Sequence, residues 1–566
     1  MRILRRLRGI GCFVLVSGLL LICFGAQAQD RGQTRSMVIS KGGIVASESP
    51  LASQAGVRIL ESGGNAVDAA IATNAMMGVV EPMMNGIGGD LFVIVYDAKA
   101  NKLYGLNASG WAPKGLTIDF LHKQGLRDMP QTGVHSITVP GVVDGWQKLA
   151  DKFGRKKLKE DFAAAIRTAQ NGFPVPEWDA AYWATEVDLL RTDDAATSLY
   201  LPGDHAPKVG EVFKNPDLAA SLGQIAERGR DAFYKGEISN KILDAEKRHN
   251  GTMTAKDLAE YSSEWVEPIS TTYRDWTVYE MPPNGQGMAV LEMLNIMETF
   301  TLGEKDSGFG STKALHTMIE AKKLAYADMG RYLGDPRGQK LPLETLISKP
   351  WAAERAKLID PDHAACDIAA GEIAGGSDTT YLSVVDRDGN MVSLIQSNYS
   401  GFGSGIVPPG AGFVLHNRGG LFTLEAGSPN ALAGHKRPRH TIIPGFAQKG
   451  DTRMAFGIMG GWNQAQAHAQ FMANIADFKM NIQAAVEAAR FTKYTFTGCD
   501  VEMENRVNGK VRDELTAKGH QIKVLGTFSS RVGGGQAVLR DFATGVNYGA
   551  SDPRKDGQAT PELQFE

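Results

Sequence analysis

The 566-residue chain is poor in cysteine, with only Cys12, Cys23, Cys366 and Cys499. None belongs to a C-x-x-C pair and no H-E-x-x-H occurs, so no metal site is indicated. There is no G-K-[ST] phosphate loop, no dinucleotide fingerprint in a βαβ context and no G-x-S-x-G elbow. These absences remove nucleotide-binding enzymes and serine α/β-hydrolases from consideration, and no cofactor is indicated. Lys and Arg number 60 against 63 Asp and Glu, with no basic stripe, so nothing favours nucleic acid as a partner. No repeat of fixed period is found. After the first residues no apolar stretch is long enough to cross a bilayer.

What is present begins with an export signal. Arg2, Arg5, Arg6 and Arg8 precede an apolar run from Gly9 to Phe24, then Ala26-Gln27-Ala28. A basic head, an apolar middle and a small-x-small end describe a secretory signal peptide over residues 1–28. Its removal takes four positive charges from a net charge of −3, leaving about −7. The mature protein is thus expected to be secreted, to the periplasm in a Gram-negative cell, with no stable membrane anchor. Cys366 and Cys499 remain, and in an oxidising compartment they could pair; the sequence leaves this open.

Residues 45–82 read as helical, with Asn65 placed to cap a helix starting near Ala66. Leu91–Asp97 reads as a buried strand, with Lys102–Asn107 as its partner. Helical patterns dominate 145–260 and 312–333. Around residue 371 the composition changes: Gly371, Gly375, Gly376 and Ser377 precede a β-rich run from Thr379 to Asp386. Arg387-Asp388-Gly389-Asn390 forms a turn, and Met391–Ser397 returns as a second strand. Further strand-like runs lie at 412–416, 453–458, 522–526 and 535–540, with a helix near 464–490. Helices beside antiparallel strands give an α+β layered fold.

Thr379 opens its strand directly after a glycine-rich stretch. A threonine there is ordinary β-sheet composition. It is also where one residue could supply both nucleophile and base. If the chain is cut before Thr379, the new α-amine, with a pKa near ~7.7–8.0, sits beside the hydroxyl and can take its proton. The cut would be self-made, by attack of the hydroxyl on the Asp378 carbonyl. Gly457-Ile458-Met459-Gly460-Gly461-Trp462 lies between a strand-like and a helix-like run, where consecutive glycines let backbone N–H groups approach an oxyanion.

Several segments together resemble the gamma-glutamyltransferase family along nearly all of the mature chain. They are Gly63-Gly64-Asn65-Ala66-Val67-Asp68-Ala69-Ala70; Glu81-Pro82 with Gly86-Ile87-Gly88-Gly89; Val139-Pro140-Gly141 with Gly145-Trp146; and Met281-Pro282-Pro283. Ala325-Tyr326-Ala327-Asp328, Tyr332-Leu333-Gly334-Asp335-Pro336, and Thr379-Thr380 followed by Ser383-Val384-Val385-Asp386 complete the set. The resemblance implies a four-layer αββα N-terminal-nucleophile sandwich. It implies a large chain, residues 29–378, and a small chain, residues 379–566, that associate into one core. It also implies that Gly460 and Gly461 donate to the oxyanion and that Ser397 supports the nucleophile.

The departures bear on substrate. Glutathione-cleaving members of the family place an arginine before the Ala-Pro pair, where this chain has Ser109. They place an acid where it has Leu421, and a serine pair where it has His440-Thr441. Tyr399 and Arg418 replace polar amides. Two charge partners for a glutamyl zwitterion are therefore missing, and burying an unpaired ammonium is costly. These features look like the acylase-like branch, which includes oxamate amidohydrolase and cephalosporin acylase relatives. The expected substrate is a small acidic acyl amide held by Arg418 and His440, with Thr441 and Tyr399 lining the pocket. Glutathione hydrolysis and a non-catalytic binding role are the competing readings.

Overall fold

The computed structural model describes residues 32–368 and 378–563. The expected signal sequence and the glycine-rich stretch 371–377 lie outside the described residues.

Two seven-stranded antiparallel sheets face each other. One runs in the order Gln558–Pro561, Ile44–Ser47, Asp378–Val385, Met391–Tyr399, Asp90–Asp97, Lys102–Ala108, Glu264–Val266. The other runs Val38–Ser40, Val546–Ser551, Gly535–Asp541, Thr452–Ile458, Gly445–Lys449, Trp276–Glu280, Ile269–Tyr273. Side chains alternate along each strand, so the apolar residues of one strand serve two cores. In Asp90–Asp97, Leu91, Val93 and Val95 pack with the helices Pro50–Glu61 and Ala66–Val80. Phe92, Ile94 and Tyr96 of the same strand point between the sheets, toward Phe446, Ala455 and Val538. Met454, Phe456 and Ile458 then turn outward to the helices Gly287–Glu298, Thr312–Tyr332 and Asn463–Ala476. The layers are therefore helix, sheet, sheet, helix, as the sequence led us to expect.

The helix Ala66–Val80 is buried at every residue except Gly78. A helix this apolar, polar only at Asp68, Thr73 and Asn74, belongs inside a layered protein. Its start is fixed by Asn65, whose side chain accepts from Val67 N at 2.9 Å and Asp68 N at 3.1 Å. The Asp68 carboxylate accepts from Asn65 N at 2.8 Å, closing a capping box. The Asp388-Gly389 turn joins the central hairpin, with Gly389 at φ +89°, a conformation that favours glycine.

Three local expectations need correction. Residues 45–82 are not all helical: they open with the strand Ile44–Ser47, and Gly63 at φ +90° separates the two helices that follow. Residues 412–416 form no strand. Gly410 and Gly412 take positive φ, and the backbone bonds of Leu415 and His416 go to Ile406, Ser404 and Gly88 in neighbouring loops. The helix expected over 464–490 is two, Asn463–Ala476 and Ile482–Glu487, parted where Lys479 has φ +56°. Cys366 and Cys499, whose pairing the sequence left open, are joined in a disulfide.

Candidate active site

Thr379 lies at the head of a central strand, with its side chain fully buried. Its Oγ1 donates to Ser397 Oγ at 3.4 Å and accepts from Gln464 Nε2 at 3.4 Å. Both contacts are long, which leaves the hydroxyl loosely held. The hairpin ladder shifts at this point. Asp378 pairs with Tyr399 and Thr380 with Gln396, so Ser397 and Asn398 together oppose Thr379. Such a β-bulge re-aims a side chain without ending the sheet. Asn398 leaves the ladder to donate its N–H to Met84 O at 2.8 Å, and Tyr399 takes φ +78°. Ser397 Oγ accepts from Tyr399 N at 2.7 Å, which fixes it beside Thr379.

Gly460 (φ +118°) and Gly461 (φ +59°) turn the chain from the strand Thr452–Ile458 into the helix Asn463–Ala476. Their carbonyls are occupied: Gly460 O accepts from Asn463 N at 2.9 Å, and Gly461 O from Gln464 N at 3.1 Å. Their amides donate to no acceptor among the described residues. Two glutamines brace this turn, and one of them also reaches Thr379. Gln464 Oε1 accepts from Ile443 N at 3.0 Å, which aims its Nε2 at Thr379. Gln286 Nε2 bonds both Gly461 O, at 2.8 Å, and Thr441 O.

Behind Ser397 stands Asp90, its direct partner across the ladder. Arg418 reaches Asp90 through Nε and Nη2, each at 3.3 Å, and donates from Nη1 to Thr441 Oγ1 at 2.7 Å. His440 Nε2 lies 2.6 Å from Asp90 Oδ2, while its Nδ1 accepts from Ile442 N at 3.3 Å. That arrangement puts the ring proton on Nε2. Burial, then the neighbouring Arg418, lowers the His440 pKa to about 4, so the ring is neutral near pH 7. Burial pushes Asp90 upward, but Arg418 and His440 outweigh it and hold its carboxyl well below the ordinary range.

The structure thus gathers Arg418, His440, Thr441 and Tyr399 into one buried cluster beside Thr379 and Ser397. The fork of Arg418 and the Nε2 of His440 are engaged with Asp90, an acid the sequence reading did not single out. Gln464 and Gln286 were also missed. Ser109 and Leu421 are buried and neutral; Ser109 Oγ donates to Asn107 Oδ1 at 2.7 Å. Elsewhere, His316, Glu320 and His520 cluster with the spacing of metal ligands. The Lys323 ammonium sits on Glu320 at 2.7 Å, a cation already in that position.

The four-layer αββα sandwich, with helices on the outer faces of two stacked antiparallel sheets, is the architecture of the N-terminal-nucleophile hydrolases. The family profile described as gamma-glutamyltranspeptidase matches residues 52–562. The chain belongs to that family, and it is an enzyme of the hydrolase and acyltransferase kind found there. It is 36% identical to the glutathione hydrolase-like YwrD proenzyme of Bacillus subtilis, over 92% of this chain and 99% of that protein. It is 31% identical to the oxamate amidohydrolase proenzyme of Klebsiella pneumoniae, over 92% of this chain and 98% of that protein. Among solved structures, the cephalosporin acylase from Bacillus halodurans superposes with TM-score 0.89 at 41% identity, covering 96% of this chain and all of that one.

Proposed function

We propose that this chain is the precursor of an exported amide hydrolase that cuts itself between Asp378 and Thr379. In processing, Thr379 Oγ1 attacks the Asp378 carbonyl and the peptide C–N bond breaks. The acyl group passes to oxygen as an ester, and the released nitrogen becomes the Thr379 α-amine. Water hydrolyses the ester, freeing the hydroxyl and the Asp378 carboxylate. In turnover the same hydroxyl attacks a substrate amide while the α-amine takes its proton. The amides of Gly460 and Gly461 receive the oxyanion. The leaving amine takes the proton, and water then cleaves the acyl-enzyme. Ser397 and Gln464 flank the hydroxyl and leave it free to turn toward a carbonyl, while Arg418 and His440 position the wall through Asp90.

The observation that carries this reading is the placement of Thr379 Oγ1 between Ser397 and Gln464 at a bulged strand start. The buried, neutral Ser109 and Leu421 favour a small acidic acyl amide over glutathione as substrate. The disulfide supports an oxidising destination, in keeping with a signal at 1–28. A reduced denaturing gel should show two fragments, the smaller beginning at Thr379, and Thr379→Ala should leave one long chain. An intact but fully active chain would sink the mechanism. Efficient turnover of a gamma-glutamyl anilide, with none of glutaryl amides or oxamate, would favour glutathione hydrolysis instead.

A further inference from the structure

Arg439 is only 8% exposed, yet it has no ion-pair partner among the described residues. The other buried arginines there are all compensated: Arg418 by Asp90 (3.3 Å), Arg437 by Glu264 (2.9 Å), Arg490 by Asp552 (2.6 Å) and Arg554 by Glu504 (2.6 Å). Arg439 Nε is sealed from solvent with no acceptor among the described residues. Its backbone is pinned: its own N–H donates to Asn430 Oδ1 at 2.8 Å, and Asn284 bonds Pro438 O at 2.7 Å and His440 N at 2.8 Å on either side. A buried charge without a counter-charge is unfavourable unless a ligand supplies one.

Two more unpartnered polar groups lie around it. Tyr399 Oη and Trp462 Nε1 are both buried and have no hydrogen-bond partner among the described residues. The Arg439 guanidinium carbon is 5.8 Å from the Trp462 ring, and Tyr399 feels the charge of Arg439. The Arg418 guanidinium carbon, 4.8 Å from the Tyr399 ring, backs that ring. Trp462 directly follows Gly460-Gly461, and Tyr399 follows the bulge opposite Thr379. Two of the three groups thus belong to the segments that carry the bulge opposite Thr379 and the Gly460-Gly461 turn, and Arg439 lies against the Trp462 ring.

Resting on the hydrolase reading above, we propose that Arg439, with Tyr399 Oη and Trp462 Nε1, forms the anion-binding end of the acyl pocket. The substrates are monoamides of short dicarboxylic acids, with the distal carboxylate on Arg439 and the amide carbonyl at the glycine turn. Among the described residues no acid pairs with Arg439 to receive an α-ammonium, so a glutaryl amide is preferred to a gamma-glutamyl one.

The test uses the self-processed enzyme with glutaryl and butyryl p-nitroanilides. Arg439→Met should raise KM for the glutaryl substrate on the order of 100-fold, with a smaller effect on kcat. The glutaryl-to-butyryl ratio of kcat/KM should fall by the same order, and Arg439→Lys should restore part of the glutaryl KM. Equal glutaryl KM in wild type and Arg439→Met overturns the anion site while the hydrolase reading stands. Should Arg439→Met fail to process, binding to the wild-type protein decides. Free glutarate should raise its melting temperature and neutral glutaramide should not; equal effects overturn the proposal. This second arm needs no turnover, so it separates failure of the anion site from failure of the hydrolase reading.

Discussion

Cys366 and Cys499 are covalently joined, and the proposed scissile bond lies between them in the chain, after Asp378. Cleavage would therefore yield two chains that remain one covalent molecule. The wild-type enzyme should run as a single species on a denaturing gel without reductant and as two with it. Cys499→Ser should give two species in both lanes and cost about 2–5 kcal/mol in stability. Two bands from unreduced wild type would show that the bond is not formed in the processed enzyme.

Gln464 reaches the Thr379 hydroxyl directly and belongs to the first turn of the helix that follows the glycines. Gln464→Leu should keep the fold and lower kcat by on the order of 10²-fold, the scale of losing one donor in a preorganised site. Processing should slow in parallel, followed as conversion of precursor on a gel over time. An unchanged kcat would remove Gln464 from the machinery.

Asp90 neutralises Arg418 within a fully buried cluster. Asp90→Asn leaves that guanidinium without a counter-charge and should destabilise the protein by about 3–5 kcal/mol in denaturant unfolding. Arg418→Met in the same background should recover part of the loss. Failure to recover any would mean the charge is not the cause.

Asp161 gives a pH dependence with a defined sign. Both its carboxyl oxygens are buried without a hydrogen-bond partner among the described residues. Burial, then repulsion from Asp68 and Glu160, raises its pKa to about 8. The folded state thus holds a proton that the unfolded chain releases near its ordinary, lower pKa. This contribution to stability is complete below that lower value and is lost as pH rises through about 8. Asp161→Asn should therefore gain stability relative to wild type at pH 9, on the order of 1–3 kcal/mol, and little or none at pH 4. Parallel melting curves for the two proteins across pH would contradict this.

The parts of the site legible in the sequence are those set by neighbouring residues. The hairpin around Asp388-Gly389, the Asn65 cap and the Gly460-Gly461 turn each follow from local conformational rules. Asp90 gains its meaning from His440, 350 residues away, and Gln464 from Thr379, 85 residues away. No local pattern announces either, although an acid at the head of Leu91-Phe92-Val93-Ile94-Val95 was a usable signal. Arg418 was read as a free fork because its acid is distant in sequence, and Arg439 was passed over because only the structure shows it has none. The error at 412–416 has the same origin. Phe413-Val414-Leu415 is apolar because it is buried, and its backbone partners are loops rather than a ladder.

Asp378 is the ladder partner of Tyr399, whose phenol stands in the proposed anion site. The residue that would end the large chain is thus a strand neighbour of the group meant to greet the substrate. Opening the bond after Asp378 would free that neighbour to withdraw. Unblocking the doorway and arming the nucleophile would then be a single event, leaving the uncut precursor without latent activity toward outside amides.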